Sequence, residues 1–191
     1  MKRSNSWTIA ALVFGLGAGA ADAQQTGNVL TRTKLSGTML KTPEYNLKGN
    51  QPRAPSGEWF EIGYLYETAP DWTDEIALTF YALLENPRET QSPSTLLKGT
   101  LTSVNVEKGR HRAAVYIHPH VLKRFGAGKV KAVGVEMRVG GQLMARESQP
   151  ASNQVWWEAL PARDGWLLAP AQTPFGPAYY MEFEMAKPGA P

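Results

Sequence analysis

Two histidines two residues apart, His118 and His120, are the residues best suited by type and spacing to do chemistry. Imidazole nitrogens suit a transition metal, and a pair flanking Pro119 could converge on one ion. The neighbourhood does not complete a ligand set. There is no His-x-x-x-His, no cluster of carboxylates nearby, and His111 is the one other histidine. If Pro119 opens a helix, residues two apart also point in different directions. The pair reads first as turn residues, with His118 and His120 kept as the metal candidates. The expectation is no metal and no cofactor.

Other catalytic sets fare no better. A serine hydrolase of the nucleophile-elbow type needs Gly-x-Ser-x-Gly, which is absent. There is no cysteine, so no thiolate nucleophile, no thiolate metal site and no disulfide framework. Glu58, Glu61, Asp71, Asp74 and Glu75 lie close in sequence, as a glycosidase pair would have to in space. Most of them fall at strand edges and turns facing water. No phosphate loop, dinucleotide fingerprint or calcium loop occurs. The chain is therefore expected not to be an enzyme.

The aromatics carry more information. Six Trp and seven Tyr are present. Trp156 and Trp157 are adjacent, so on a strand one must point away from the core. Trp59 falls on the polar parity of its strand, and Trp72 and Trp166 sit in loop-like stretches. Such rings either cap an open end of a domain or offer a surface to a sugar or protein. Trp59, Trp156 and Trp157 are the candidate binding surface.

The start of the chain bears on location. Lys2 and Arg3 precede the apolar run Ile9 to Leu16, and Ala21-Asp22-Ala23 closes it. A basic start, a short apolar run and a small-x-small site read as a secretory signal, with cleavage after Ala23. The apolar run precedes the cut and is discarded, so this is not the pattern of a major pilin subunit. No cysteine follows the cut to carry a lipid. No later stretch approaches the roughly 20 apolar residues that span a bilayer. Net charge is +3, of which Lys2, Arg3 and Asp22 supply +1. Basic and acidic residues are interspersed, so no nucleic-acid stripe is expected. The hydrophobic fraction of 42% suits a globular domain with a real core.

The elements that must position these residues are mostly strands. Residues 28–40 alternate loosely, enough for one strand, and 42–57 carry enough Pro and Gly to be loop. In Glu58 to Glu67, Phe60, Ile62, Tyr64 and Tyr66 share one parity, the period of a half-buried strand. Ala69-Pro70-Asp71 reads as a turn, and Ile76 to Leu84 as a second alternating strand. Leu96 to Val106 is a third, with a phase slip near Thr102-Ser103 that predicts a bulge. Lys108-Gly109 predicts a turn, and Arg112 to Ile117 a fourth strand. Pro119 to Phe125 predicts a short helix, opened by Pro119 and followed by Gly126. Gly140-Gly141 predicts a tight hairpin between Val133–Val139 and Gln142–Ser148. Residues 155–160 could form a strand or a helical turn, 161–177 are rich in Pro and Gly, and 179–185 alternate as a final strand. Seven to nine strands and one short helix predict an all-β, immunoglobulin-like antiparallel β-sandwich.

Several segments together look like a known family. These are Trp59-Phe60-Glu61-Ile62, Trp72 to Tyr81, Leu97-Lys98-Gly99-Thr100, Glu107 to His111, and Val115-Tyr116-Ile117-His118-Pro119. Across roughly residues 57–148 the chain resembles the small exported immunoglobulin-like proteins of type IV pilus-linked loci in Verrucomicrobia (Akkermansia-type). The resemblance implies a non-enzymatic envelope protein with no catalytic residues to transfer. The expected organisation is a signal at 1–23, a strand and loop-rich segment at 24–57, a sandwich at 58–186 and a tail at 187–191. The expected role is protein–protein contact in the envelope or pilus machinery, in the periplasm or at the surface of a Gram-negative cell. The alternative is a module that binds carbohydrate, mucin glycans in particular, through its tryptophans.

Overall fold

The computed structural model describes residues 30–44, 57–88, 90 and 93–177. The signal, its cleavage site and the expected strand at 179–185 lie outside the described residues. The strands are β1 (Leu30–Lys41), β2 (Glu58–Glu85), β3 (Ser94–Ile117), β4 (Val130–Val139), β5 (Gln142–Gln149), β6 (Ala162–Asp164) and β7 (Leu167–Leu168). One helix, α1 (Pro119–Gly126), joins β3 to β4. The described residues are all-β with a single short α-helix, as the period-two patterns require.

β2 and β3 are far longer than the sequence reading has them. Each joins two of the expected strands. The expected turn at Ala69-Pro70-Asp71 lies inside β2, and the one at Lys108-Gly109 inside β3. Thr68 pairs with Gly109 and Trp72 with Glu107, so Ala69 to Asp71 oppose Lys108 alone. This is a bulge, where Pro70 forfeits no ladder bond by lacking an N–H. Gly109 takes a φ of 138°, which a side chain would strain. The bulge expected near Thr102-Ser103 does not form: the β2–β3 register runs unshifted from Trp72–Glu107 to Glu85–Ser94, and the buried parity changes instead at Asn105, whose φ is 52°. Asn tolerates that left-handed conformation better than most residues.

The bulge divides the sheet into two halves that share β2 and β3. In one half β1 pairs with Glu58–Thr68. In the other, β4 pairs with the Ile76–Leu84 stretch of β2, and β5 pairs with β4. β6 runs parallel to β3 at Leu96–Lys98, and β7 pairs with Tyr116 and Ile117. Both halves turn one parity toward a common core, which makes the bent sheet a sandwich. Ile62, Tyr64 and Tyr66 meet Leu78, Phe80, Val115, Val135 and Met137 there. Burying each such side chain contributes about 1.5–3 kcal/mol.

The seam between β1 and β5 is closed by side chains. The Leu35 N–H donates to Glu147 Oε2 at 3.1 Å, and the Gly37 N–H donates to Gln149 Oε1 at 3.1 Å. The Tyr64 hydroxyl donates to Glu147 Oε1 at 3.3 Å. Beyond that seam a cleft of about 340 Å³ opens, lined by Gly37, Phe60, Val133 and Pro150 among others.

α1 forms where Pro119 opens it, but it ends one residue later than expected. Gly126 stays in the last turn, packed so closely on Leu84 that a Cβ would lie 3.1 Å from its Cδ2. Ala127 and Gly128 then take φ of 47° and 86° and stop the helix. The hairpin at Gly140-Gly141 forms as expected, with φ of 55° and 81°. Residues 156–158 form a single 3-10 turn.

Candidate functional site

His118 and His120 sit at the start of α1 and do structural work. His118 is the N-cap: its Nδ1 accepts the His120 N–H at 3.1 Å. A histidine nitrogen replaces the usual oxygen in satisfying one of the open N–H groups of the first turn. The two rings lie 4.8 Å apart at 70°. Burial and then the neighbouring His120 charge lower the His118 pKa, which favours the neutral ring that the cap uses. His111 is elsewhere, buried with Nε2 3.1 Å from Thr68 Oγ1 and its ring 5.2 Å from Tyr66. Among the described residues no three potential ligands gather to hold a metal ion.

The candidate tryptophans are placed differently from one another. Trp59 is 6% exposed. Its ring meets His118 at 4.7 Å and Phe175 at 5.6 Å, both edge-on. Its indole N–H donates to Thr42 Oγ1 at 3.2 Å. Phe175 in turn stacks on Tyr116 at 4.7 Å and 7°. This second apolar cluster explains why Trp59 falls on the polar parity of β2. The Pro- and Gly-rich stretch 161–177 brings Phe175 over that outer face.

Trp157 is also buried. It stacks on Tyr81 at 5.0 Å and 13°, and its N–H donates to Glu136 Oε1 at 3.3 Å. It lies directly over Gly134, where a Cβ would be 2.6 Å from Trp157 Cζ3. Trp156 is half-buried, edge-on to Trp157 at 5.1 Å, and its indole N–H has no hydrogen-bond partner among the described residues. The adjacent pair therefore splits, one ring inward and one partly outward, by way of a 3-10 turn.

Glu136 is the residue that sequence reasoning missed. It is buried on β4 and accepts from Arg146 Nε at 2.8 Å and Arg138 at 3.4 Å, besides Trp157. Burial first, then the Glu136 charge, raises the Tyr81 pKa. The signal in the sequence was Glu136 and Arg146 flanking the Gly-Gly hairpin.

Of the carboxylates weighed for a glycosidase pair, Glu61 and Asp71 are held apart. Glu61 is buried in an ion pair with Arg112 at 2.7 Å. Asp71 is exposed at the bulge, 3.9 Å from Lys108. Extended strand separates residues by about 3.3 Å each, which holds Glu61 and Asp71 well apart along β2.

Several large apolar side chains remain open to a partner. Trp72 is 63% exposed beside the bulge, and Leu65, Met39, Leu160 and Trp166 are exposed as well. No described helix is long and apolar enough to cross a membrane.

Comparison with known proteins agrees with this architecture. A solved structure from Akkermansia muciniphila is similar at a TM-score of 0.69 and 23% identity. The match covers 82% of this chain and 93% of that one, and at that identity it speaks for the fold. No curated protein matches the chain. A family model matches residues 21–188, most of the chain's length. The chain thus belongs to the family that this model describes.

Proposed function

We propose that this protein is an exported, non-enzymatic envelope protein that acts by protein–protein contact, in association with type IV pilus assembly or the cell surface. The observation that carries the reading is the set of large apolar side chains left in water, with Trp72 foremost. Exposed rings on a well-packed sandwich are a reason to look for a protein surface that covers them. The placement of the candidate catalytic groups supports the same reading. His118 caps a helix and Glu61 pairs with Arg112. The basic start and apolar run that end at Ala23 support export.

The test is capture from envelope extract with the wild-type chain and with Trp72→Ser. Recovery of an envelope or pilus component by the first and not by the second is expected. An eluate empty of such components overturns the reading.

The carbohydrate alternative rests on Trp59, Trp156 and Trp157. Two of those rings are buried, which favours the contact reading. Titrating tryptophan fluorescence with mucin glycans separates the two. A flat trace is expected, and a saturable shift would restore the glycan reading.

A further inference from the structure

A second surface lies away from Trp72 and has a definite chemistry. Phe125, in the last turn of α1, is approached by two guanidinium groups. Arg124 Cζ lies 4.8 Å from the ring centroid and Arg163 Cζ lies 5.4 Å from it. Trp166 stands edge-on to the same ring at 5.8 Å. Three elements bring these residues together. α1 supplies Arg124 and Phe125, and β6 supplies Arg163 through its parallel pairing with β3 at Leu97. Gly165, with φ of 81°, turns the chain between β6 and β7 and sets Trp166 beside the ring. Leu167, the next residue, is buried against Gly99 and fixes that turn.

The charge on this surface is mainly positive, with Asp164 following Arg163 on β6. Arg124 and Arg163 are both exposed, and neither forms an ion pair among the described residues. By contrast Arg112, Arg138 and Arg146 each lie on a carboxylate. The last turn of a helix favours a cation, which accounts for part of Arg124's placement. It does not account for Arg163. An aromatic ring under a guanidinium restrains it while leaving its N–H fork free, and that fork fits a carboxylate bidentately.

We propose that Arg124, Arg163, Phe125 and Trp166 form a docking site for an acidic stretch of a partner protein, with apolar or aromatic side chains between its carboxylates. The charge complementarity selects the carboxylates, and the Phe125–Trp166 edge selects their apolar neighbours. The proposal rests on the contact reading above and names the chemistry of one partner surface.

The test uses the full chain and a fluorescein-labelled synthetic peptide of alternating Glu and Phe, read by fluorescence polarisation. Saturable binding is expected. It should weaken on the order of tenfold in Arg124→Ala/Arg163→Ala, the scale of losing exposed charge-assisted contacts. It should also weaken as salt rises, because exposed charges are screened. Arg124→Lys/Arg163→Lys should not restore it, since an ammonium lacks the planar fork. Thermal melting checks that these exposed substitutions leave the fold intact, and Trp166→Ser gives a second, uncharged probe of the same site. A peptide that fails to bind, or binds the double-Ala variant equally well, overturns the proposal. So does binding to heparin with none to the peptide, which would assign the site to an acidic glycan. If the peptide fails while envelope capture through Trp72 persists, this inference falls and the contact reading stands.

Discussion

The Tyr64 hydroxyl donates to Glu147, and the same carboxylate takes the backbone N–H of Leu35 through its other oxygen. One side chain of β5 thus joins the core of β2 to the open edge of β1. Edge strands leave a row of unpaired N–H groups that invite wrong partners. Here Glu147 and Gln149 occupy two of them. Burial, followed by the Glu147 charge, raises the Tyr64 pKa well above that of a free phenol, so the hydroxyl stays a donor.

Glu147→Ala should therefore cost more than Tyr64→Phe. The first leaves the Leu35 N–H without a partner and the Tyr64 hydroxyl with Thr33 alone, at about 1–3 kcal/mol. The second removes the phenol's hydrogen bonds to Glu147 and Thr33 but leaves Glu147 on Leu35, at about 0.5–1.5 kcal/mol. Urea unfolding of both variants checks the order. Equal losses would mean that the phenol, not the seam, carries the stability.

Gly134→Ala tests the outer face. The new methyl would meet the Trp157 ring at a distance no Cβ tolerates, and the ring is also held by Tyr81 and Glu136. Either β4 shifts or Trp157 lifts off. The expected loss is about 1–3 kcal/mol, the scale of overpacking. Lifting would red-shift tryptophan emission. An unchanged spectrum with unchanged stability would show that the stacking is loose.

The strand patterns of Glu58–Glu67 and Ile76–Leu84 were legible because each buries one parity. Their union into one strand was not. A bulge that keeps the ladder running through Ala69-Pro70-Asp71 uses the same residues as a true turn. Trp59 misled by parity for a related reason. Its face is covered by Phe175, more than a hundred residues on, and no local period reports that. Glu136 was missed by one residue of register. A two-residue hairpin at Gly140-Gly141 would set Glu136 opposite Ala145. The irregularity between Met137 and Arg138 sets it opposite Arg146 instead. The His118-Pro119 pair, by contrast, carried its helix start in the sequence.

His118 predicts a pH dependence with a definite sign. Its Nδ1 can accept the His120 N–H only while unprotonated. Burial against Trp59 and the His120 charge lower its pKa below the ordinary 6.5. In that window the unfolded chain binds more protons than the folded one, so stability rises with pH. The contribution is fully present above 6.5 and is lost as pH falls through the folded-state value. His118→Asn keeps a capping oxygen without the titration. Its urea midpoint should fall less than that of the wild type between about pH 7 and 5. Parallel curves for the two proteins would remove His118 as the cause.

Trp72 and Trp59 give the sharpest contrast between contact and packing, because both are tryptophans of β2 on opposite sides of solvent. Trp72→Ser removes a ring that is mostly in water and should change stability by no more than about 0.5 kcal/mol. Trp59→Ser removes a ring fixed by Thr42, His118 and Phe175, and should cost about 3–5 kcal/mol. For a domain of this size each kcal/mol lowers the melting temperature by about 2–4 °C. Thermal melting therefore separates the two variants before any partner is added. Envelope capture should then fail for Trp72→Ser, whose fold is intact. If capture survives that substitution, the bulge surface is not the contact, and the Phe125–Trp166 edge becomes the place to look.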